Sequence, residues 1–476
     1  MKNVFTVAAS LLALASTTLA AAPRQDGFIS KFALPANHST ELKEYIITFQ
    51  RNETIPPKID DYLDMLELKR NAPDGGDTIL YQSNNTNPNT TRVWMLRICD
   101  EHAKILRDEF PEVNVVEEKA EIQSYETRSG APWGLQRISS EAGASGSPQG
   151  QDFTYTFDDA SLGKGVDIYV VDTGVRDTHA VFTGRASQGF SATGSPVDGD
   201  GHGTHCAGTA GGAKFGVAQG ANIIAVKVLS DDGSGSSSDT IRGMDWVIAR
   251  HEQRKSESGF VGSIMSMSWG LQGTANSVDE VIAGASAAGI HVSVAAGNDG
   301  VDACGSTPAH LGGANSNVVT VGSVNIRNTV SSFSNTGKCV DIYGPGEQIL
   351  SAWATGDTII NFLSGTSMAC PHTTGVMAYL MAQDAAALGQ NPAALKKKLL
   401  ETARQSKITG NLGGSANLLL SNGVNGTPAT KRLMKNYVVP DRSGSPAARA
   451  AASISGRDIV IDERFQLHSR DSKLRF

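Results

Sequence analysis

Between Val166 and Val321 one pattern recurs. A short run of apolar and β-branched residues closes on a glycine-rich turn, and a helix-compatible stretch leads to the next run. The runs are Val166–Val171, Ile223–Leu229, Ser263–Ser268, His291–Ala296 and Val318–Val321. Strands this continuously apolar need cover on both faces, which helical crossovers supply. The pattern therefore predicts a mainly parallel α/β sheet between helices. In such sheets ligands bind beyond the carboxyl ends of the strands, so the residues just after each run are where chemistry is expected.

The rest of the chain divides around this block. At ~150 residues per domain, 476 residues allow about three domains. Lys2 followed by apolar Val4–Ala15 and the small-residue site Thr18-Leu19-Ala20 reads as a signal peptide, residues 1–20. Strands are expected at 44–50, 93–96 and 113–116 and helices at 56–70 and 101–110, a small α+β domain. A polar segment, 117–129, is read as a linker. The sequons at Asn37, Asn52, Asn84, Asn89 and Asn425 become glycan sites in a secreted chain. No later segment is apolar enough for a membrane span.

Charge adds one division. The chain carries 41 Lys/Arg and 48 Asp/Glu, net −7, which gives no reason to expect nucleic acid as a partner. After Ala429, ten basic residues face five acidic ones, so a +5 tail follows a −12 body. The stretch 443–455 is rich in Ser, Gly, Ala and Pro, and residues 429–476 are read as a flexible extension.

Three motifs sit where the sheet argument looks for them. Asp172 ends the first run in Val-Val-Asp-Thr-Gly. His202 lies in Gly-His-Gly-Thr-His-Cys-Ala-Gly, and Ser367 in Gly-Thr-Ser-Met-Ala-Cys-Pro. A serine hydroxyl needs a nearby base, and a histidine near neutrality needs an acceptor to fix its tautomer. Asn298, in Ala295-Ala296-Gly297-Asn298, follows another run and offers an amide to a tetrahedral oxyanion, with the Ser367 N–H as companion. The order Asp, His, Ser separates this set from chymotrypsin-type and α/β-hydrolase arrangements. No Gly-x-Ser-x-Gly elbow occurs, which disfavours a lipase-type hydrolase. His205, His372, His179 and His310 are read as structural. The competing reading from another class is a peptide-binding pseudoenzyme, against which the complete set argues.

These motifs resemble the subtilisin-like serine proteases, peptidase family S8, in their proteinase K subfamily. Ala131-Pro132-Trp133-Gly134-Leu135 resembles that subfamily's mature N-terminus, and Asp302-Ala303-Cys304 with Gly337-Lys338-Cys339 looks like the cerevisin-type vacuolar branch. The resemblance implies a three-layer α/β sandwich over residues 126–428. It also implies a ferredoxin-like inhibitory propeptide over 21–125, core 44–120, cut near Tyr125–Glu126. The chain would then be a monomeric zymogen-derived endopeptidase, secreted or vacuolar, inhibited by its own propeptide and acting on proteins and peptides with apolar or aromatic P1 residues. By the same resemblance Gly233, Ser234, Gly235, Ser268, Trp269, Gly270, Ala295 and Gly297 line the substrate. Trp269 stands where the family has Leu and Ser237 where proteinase K has Tyr, which suggests a size exchange at subsite S4. Asp231 and Asp232 at that edge suggest a mild preference for basic residues. A basic, kexin-like P1 specificity is not expected.

The five cysteines and the metal expectation follow from the same resemblance. Cys304 and Cys339 are expected to form a disulfide, and Cys99 and Cys206 to be buried thiols. Cys370 is left open to a bridge with Cys206. No Cys/His metal spacing occurs. No cofactor is expected for catalysis, but a structural calcium is, ligated by Asp341 and the Val318 carbonyl.

Overall fold

The computed structural model describes residues 41–50, 59–71, 76–83, 91–119, 125–426 and 465–467. The proposed signal peptide and the sequons at Asn37, Asn52, Asn84 and Asn89 lie outside them. Contacts divide the chain into Met1–Ile122 and Gln123–Phe476.

The first unit has strands β1 (Lys43–Phe49), β2 (Ile79–Gln82), β3 (Val93–Ile98) and β4 (Val113–Glu118), with helices α1 (Ile59–Met65) and α2 (Asp100–Glu109). The strands form an antiparallel sheet in the order β2-β3-β1-β4. Alternate residues of β1 and β3 are buried, including Ile47, Phe49, Trp94 and Leu96, and Tyr62 and Leu106 of the helices close over them. One buried face and one wetter face is the signature of a sheet covered on a single side. The sequence missed β2, a four-residue strand with an exposed end.

In the second unit a hairpin-like pair, β5 (Glu126–Ala131) and β6 (Phe153–Phe157), flanks the buried helix α3 (Trp133–Ser139). The linker reading therefore fails at its end. Residues 126–129 are strand, fixed by pairing with β6 rather than by their own polar composition.

The large sheet contains β7 (Val166–Asp172), β8 (Ala186–Ser191), β9 (Asn222–Lys227), β10 (Gly262–Met267), β11 (His291–Ala295), β12 (Val319–Val324) and β13 (Ile342–Pro345). Helices α4 (His202–Gly211), α5 (Ser237–Arg254) and α6 (Asn276–Ala287) alternate with these strands. The strand order is β13-β12-β11-β10-β7-β9-β8, all parallel. Every residue of β7, β10, β11 and β12 is buried, as their unbroken apolar runs require. The hairpin β14 (Ile349–Ala352) and β15 (Ile359–Leu363) precedes α7 (Thr366–Gln383), which is followed by α8 (Ala385–Leu388) and α9 (Pro392–Thr402). The short strands β16 (Arg404–Gln405) and β17 (Leu418–Leu419) complete a sheet of nine strands among the described residues. Buried side chains surround α7, so it is a core helix rather than an amphipathic one.

The extension read as flexible returns to this unit at one point. Gln466–Leu467 forms β18, parallel to β15, and Phe465 is buried against His179 and Phe215. An apolar ring and an open strand edge hold this segment, which composition alone could not reveal. No helix among the described residues is long and apolar enough to cross a membrane.

Candidate active site

Asp172 is the last residue of β7 and fully buried, and His202 is the first residue of α4. Asp172 Oδ1 lies 2.8 Å from His202 Nδ1. Asp172 Oδ1 also accepts from the Thr173 N–H at 2.7 Å. This places the imidazole proton on Nδ1 and leaves Nε2 as the basic atom. Burial alone would push the His202 pKa down. The facing Asp172 carboxylate overrides burial, and the net direction is upward from 6.5.

Asp198, which the sequence reading missed, fixes where α4 starts. Its buried carboxylate accepts from the Thr173 hydroxyl at 3.0 Å, the Gly201 N–H at 2.8 Å and the Thr204 N–H at 3.0 Å. It thus ties the residue after Asp172 to the first turn of the helix that carries His202. A carboxylate at a helix N-terminus satisfies otherwise unpaired amides and complements the dipole.

Ser367 is the second residue of α7. Pro371 lies four residues later and has no N–H to give to the Ser367 carbonyl. That carbonyl instead accepts from Ser268 Oγ at 3.0 Å and from Cys206 Sγ at 3.4 Å. Cys206 therefore joins the helix of His202 to the helix of Ser367. Burial pushes its thiol up, so it stays protonated. Ser367 Oγ itself donates to the Ser268 carbonyl at 3.1 Å.

Asn298 follows β11. Its Oδ1 accepts twice from Thr366, from N at 2.8 Å and Oγ1 at 2.9 Å. Both acceptor positions being used, the Nδ2 hydrogens are left for another oxygen. A methyl carbon placed on Gly365 would lie 3.5 Å from Asn298 Nδ2 and 3.6 Å from Ser367 N. The missing side chain of Gly365 thus leaves open a space bordered by Asn298 Nδ2 and Ser367 N. Asn335, also missed, holds the approach to Asn298. Its Oδ1 accepts from Asp299 N at 3.0 Å and Val301 N at 3.1 Å, while Nδ2 donates to Ala296 O at 3.0 Å. Asn335 carries no signal in the sequence beyond its polarity, and Thr366 lies within the Ser367 motif without a role that the motif itself reveals.

The substrate-lining candidates divide. Ser268, Trp269 and Gly270 extend from the end of β10, and Gly233, Ser234 and Gly235 form an open, solvent-facing stretch before α5. A Cβ on Gly235 would meet Leu229 at 2.5 Å and the Val228 carbonyl at 2.9 Å, so only glycine fits. Ala295 is the buried last residue of β11. Gly297 has φ of 103° and donates its N–H to Thr366 Oγ1 at 3.1 Å. Trp269 turns its indole inward, donating to the Val171 carbonyl at 2.9 Å. Asp231 already receives Lys227 Nζ at 2.7 Å, so the suggested attraction for basic residues has lost one of its two charges.

Of the histidines read as structural, three have their rings engaged by backbone carbonyls and His310 by a carboxylate. His205 Nε2 lies 2.9 Å from the Ile349 carbonyl and 3.1 Å from that of Asn361, and burial pushes its pKa down to about 3. His372 Nδ1 lies 2.8 Å from the Met368 carbonyl, with its pKa pushed down to about 4 by burial. His179 Nε2 lies 2.8 Å from the Ile359 carbonyl, and His310 pairs with Asp279 at 2.9 Å.

Cys304 and Cys339 are disulfide-bonded, while Cys99, Cys206 and Cys370 are buried free thiols, so Cys206 and Cys370 form no bridge. Asn425 is exposed, its Oδ1 accepting from Glu141 N at 2.9 Å. Among the described residues, Asp172, His202 and Cys206 are the group close enough to share a metal, and two of them are the pair described above. The expected calcium ligands, Asp341 and the Val318 carbonyl, both accept from Lys396 Nζ, at 2.9 and 2.8 Å.

A buried carboxylate–imidazole pair, a serine at a helix N-terminus and two amide nitrogens bordering one space are the parts of an acyl-transfer centre. The subtilase (peptidase S8) family model matches residues 163–427. A subtilisin-like protease of Coccidioides posadasii is 38% identical over 361 residues, 72% of this chain and 71% of its own. A cuticle-degrading serine protease of Arthrobotrys oligospora is 39% identical over 319 residues, 66% of this chain and 73% of its own. The crystal structure of a cold-adapted subtilisin-like serine proteinase is 38% identical, with a TM-score of 0.53 over 62% of this chain and 99% of that one.

Proposed function

The chain belongs to the subtilase family of serine endopeptidases, and from that premise we propose that Ser367, His202 and Asp172 cleave peptide bonds through an acyl-enzyme, with Asn298 and the Ser367 N–H holding the oxyanion. The observation that carries this reading is the Asn298 amide, locked by Thr366 with its N–H groups and the Ser367 N–H bordering one space. Ser367 Oγ leaves the Ser268 carbonyl, passes its proton to His202 Nε2 and attacks the scissile carbonyl. Asp172 holds Nδ1–H and stabilises the imidazolium. The carbonyl oxygen takes up negative charge between two donors that need no reorganisation. His202 then protonates the leaving amine, and water repeats the sequence in reverse. A substrate strand would pair with the backbone of 268–270 and 233–235 by β-augmentation.

The first unit is read as an inhibitory prosegment cut after Tyr125. Tyr125 is 56% exposed, and β5 begins at Glu126, so a new N-terminus would keep its pairing with β6. Tyr125 in P1 supports an apolar or aromatic P1 preference. The signal-peptide pattern supports a secretory route, extracellular or vacuolar, with glycans on the sequons and a monomeric product.

A fluorophosphonate tests the reading. The processed chain is expected to carry one label, on Ser367, with Glu126 as N-terminus, and Ser367→Ala is expected to lower kcat by about 10⁶, a magnitude carried over from subtilisin itself. A processed chain that binds peptides but does not label would make it a peptide-binding protein instead.

A further inference from the structure

Lys396 reaches from α9 to the amino ends of β12 and β13. It is largely buried, and its ammonium is enclosed by oxygen. Nζ donates to Gly313 O at 2.7 Å, Val318 O at 2.8 Å and Ser316 O at 2.9 Å, and pairs with Asp341 Oδ1 at 2.9 Å. Asp341 is buried too. Its Oδ1 also accepts from Gly313 N at 3.1 Å and its Oδ2 from Thr320 N at 2.9 Å. Burial pushes the Asp341 pKa up, and the Lys396 ammonium acts against it.

Three converging carbonyls and one carboxylate are the donor set of a hard cation, but Lys396 Nζ already occupies the point on which they converge. Calcium takes six to eight oxygens at about 2.3–2.6 Å. Here four oxygens stand at 2.7–2.9 Å, the normal length of an N–H···O bond. The three protons of the ammonium serve the three carbonyls, Asp341 Oδ1 balances its charge and accepts from Gly313 N, and a metal ion cannot occupy the same point.

We propose that the Lys396 ammonium is a built-in cation that replaces a metal ion at this cage, so that the loop 312–318 and the start of β12 stay ordered without calcium. The charge balance is complete, one ammonium against one carboxylate, and every oxygen facing the centre has a donor. The bond is covalently supplied by α9, so no ion concentration governs it. A metal-free clamp here also leaves the chemistry untouched, because Val318 and Asp341 lie at the opposite ends of their strands from the edge that carries Asp172 and Asn298.

The test uses the full chain in a Ser367→Ala background, which prevents self-digestion. Calcium binding is followed by titration calorimetry and stability by the thermal midpoint, in chelator and in 10 mM calcium. Four variants accompany the parent: Lys396→Ala, Lys396→Met, Asp341→Asn and Lys396→Ala/Asp341→Asn. The parent is expected to show no calcium binding that Asp341→Asn removes. Lys396→Ala empties the cage and is expected to lose ~6–10 °C in chelator, the scale of an uncompensated buried charge. It should recover about half of that in calcium, with one new binding event that Asp341→Asn abolishes. Lys396→Met keeps the stem in the cage, so it should lose a similar amount and recover nothing. If Lys396→Ala proves too unstable to purify without calcium, its recovery when expressed and purified in calcium, against failure of Lys396→Met, reads the same outcome. Calcium binding by the parent that Asp341→Asn removes would overturn the proposal. So would a Lys396→Ala protein that neither binds calcium nor gains stability from it.

Discussion

At the amino edge of the central sheet, buried polar side chains are tied to the flanking helices and the turns that follow them. Asp167 at the start of β7 holds Arg254 of α5 at 2.6 Å and Asn222 of β9 at 2.8 Å. Ser263 of β10 meets His251 of α5 at 2.8 Å, His291 of β11 meets the Gly389 carbonyl at 3.1 Å, and Asp341 before β13 meets Lys396 of α9 at 2.9 Å. At the carboxyl edge the same strands end in groups with exchangeable bonds. Ser367 Oγ rests on the Ser268 carbonyl and Asn298 keeps its N–H groups for an oxygen. One edge trades polar capacity for rigidity, and that rigidity lets the other hold its donors in place without closing on them. A parallel sheet makes this division natural, since all strand starts fall on one side and all strand ends on the other.

The largest expected break between the edges is at Asn298. Asn298→Ala should lower kcat by about 10²–10³, the size found for the same kind of donor in subtilisin itself, with KM nearly unchanged. Urea unfolding should show a loss of only about 1–2 kcal/mol, the scale of the two bonds that Asn298 Oδ1 accepts from the buried Thr366. A large loss of stability would mean that the carboxyl edge is also structural. At the amino edge the reverse is expected. Arg254→Met leaves Asp167 buried with only Asn222 against it, and should lower the unfolding free energy by about 3 kcal/mol. Its kcat at 25 °C should match the parent, and a drop approaching that of Asn298→Ala would erase the distinction.

These two edges were unequally legible in the sequence. The carboxyl edge carries short motifs in which residue type dictates chemistry, so Asp172, His202, Asn298 and Ser367 could be picked out. The five apolar strands could be read because burial on both faces leaves an unbroken run. The supports could not be read. Asp198 and Asn335 act through bonds that only the fold brings about, and an isolated Asp or Asn looks like any loop residue, while Thr366 stands inside the Ser367 motif without any sign that it holds Asn298. Lys396 is one of three consecutive lysines, and only the fold decides which of them turns inward. Strand β13 is four residues ending in Gly-Pro, a pattern that reads as a turn, and β5 and β18 owe their form to the edges they pair with.

The acid limb of the rate profile gives a smaller effect. In the proposed mechanism His202 must be neutral to take the Ser367 proton, and Asp172 favours its protonated form, moving its pKa upward from 6.5. The base is therefore present above the shifted pKa and lost as pH falls through it. The midpoint of kcat/KM should lie above 6.5, and each further pH unit below it should remove about a factor of ten. A midpoint below 6.5 would mean that burial outweighs the carboxylate, and that the edge favours the neutral imidazole already at rest.

Trp269 stands where the two uses of polar groups meet. Its indole N–H is committed to the Val171 carbonyl, next to Asp172, while in the proposed mode of binding the backbone on either side of it pairs with substrate. If Trp269 shapes S4, Trp269→Leu should enlarge the subsite and favour larger P4 side chains by up to about tenfold in a peptide library, the range open to a hydrophobic pocket. In that case kcat for a substrate with a small P4 residue should be preserved. If Trp269 instead steadies Asp172 through the Val171 carbonyl, kcat should fall equally for every P4 residue and the library profile should not change. An unchanged profile sinks the size exchange with Ser237 and moves Trp269 from the group of exchangeable contacts to that of fixed ones.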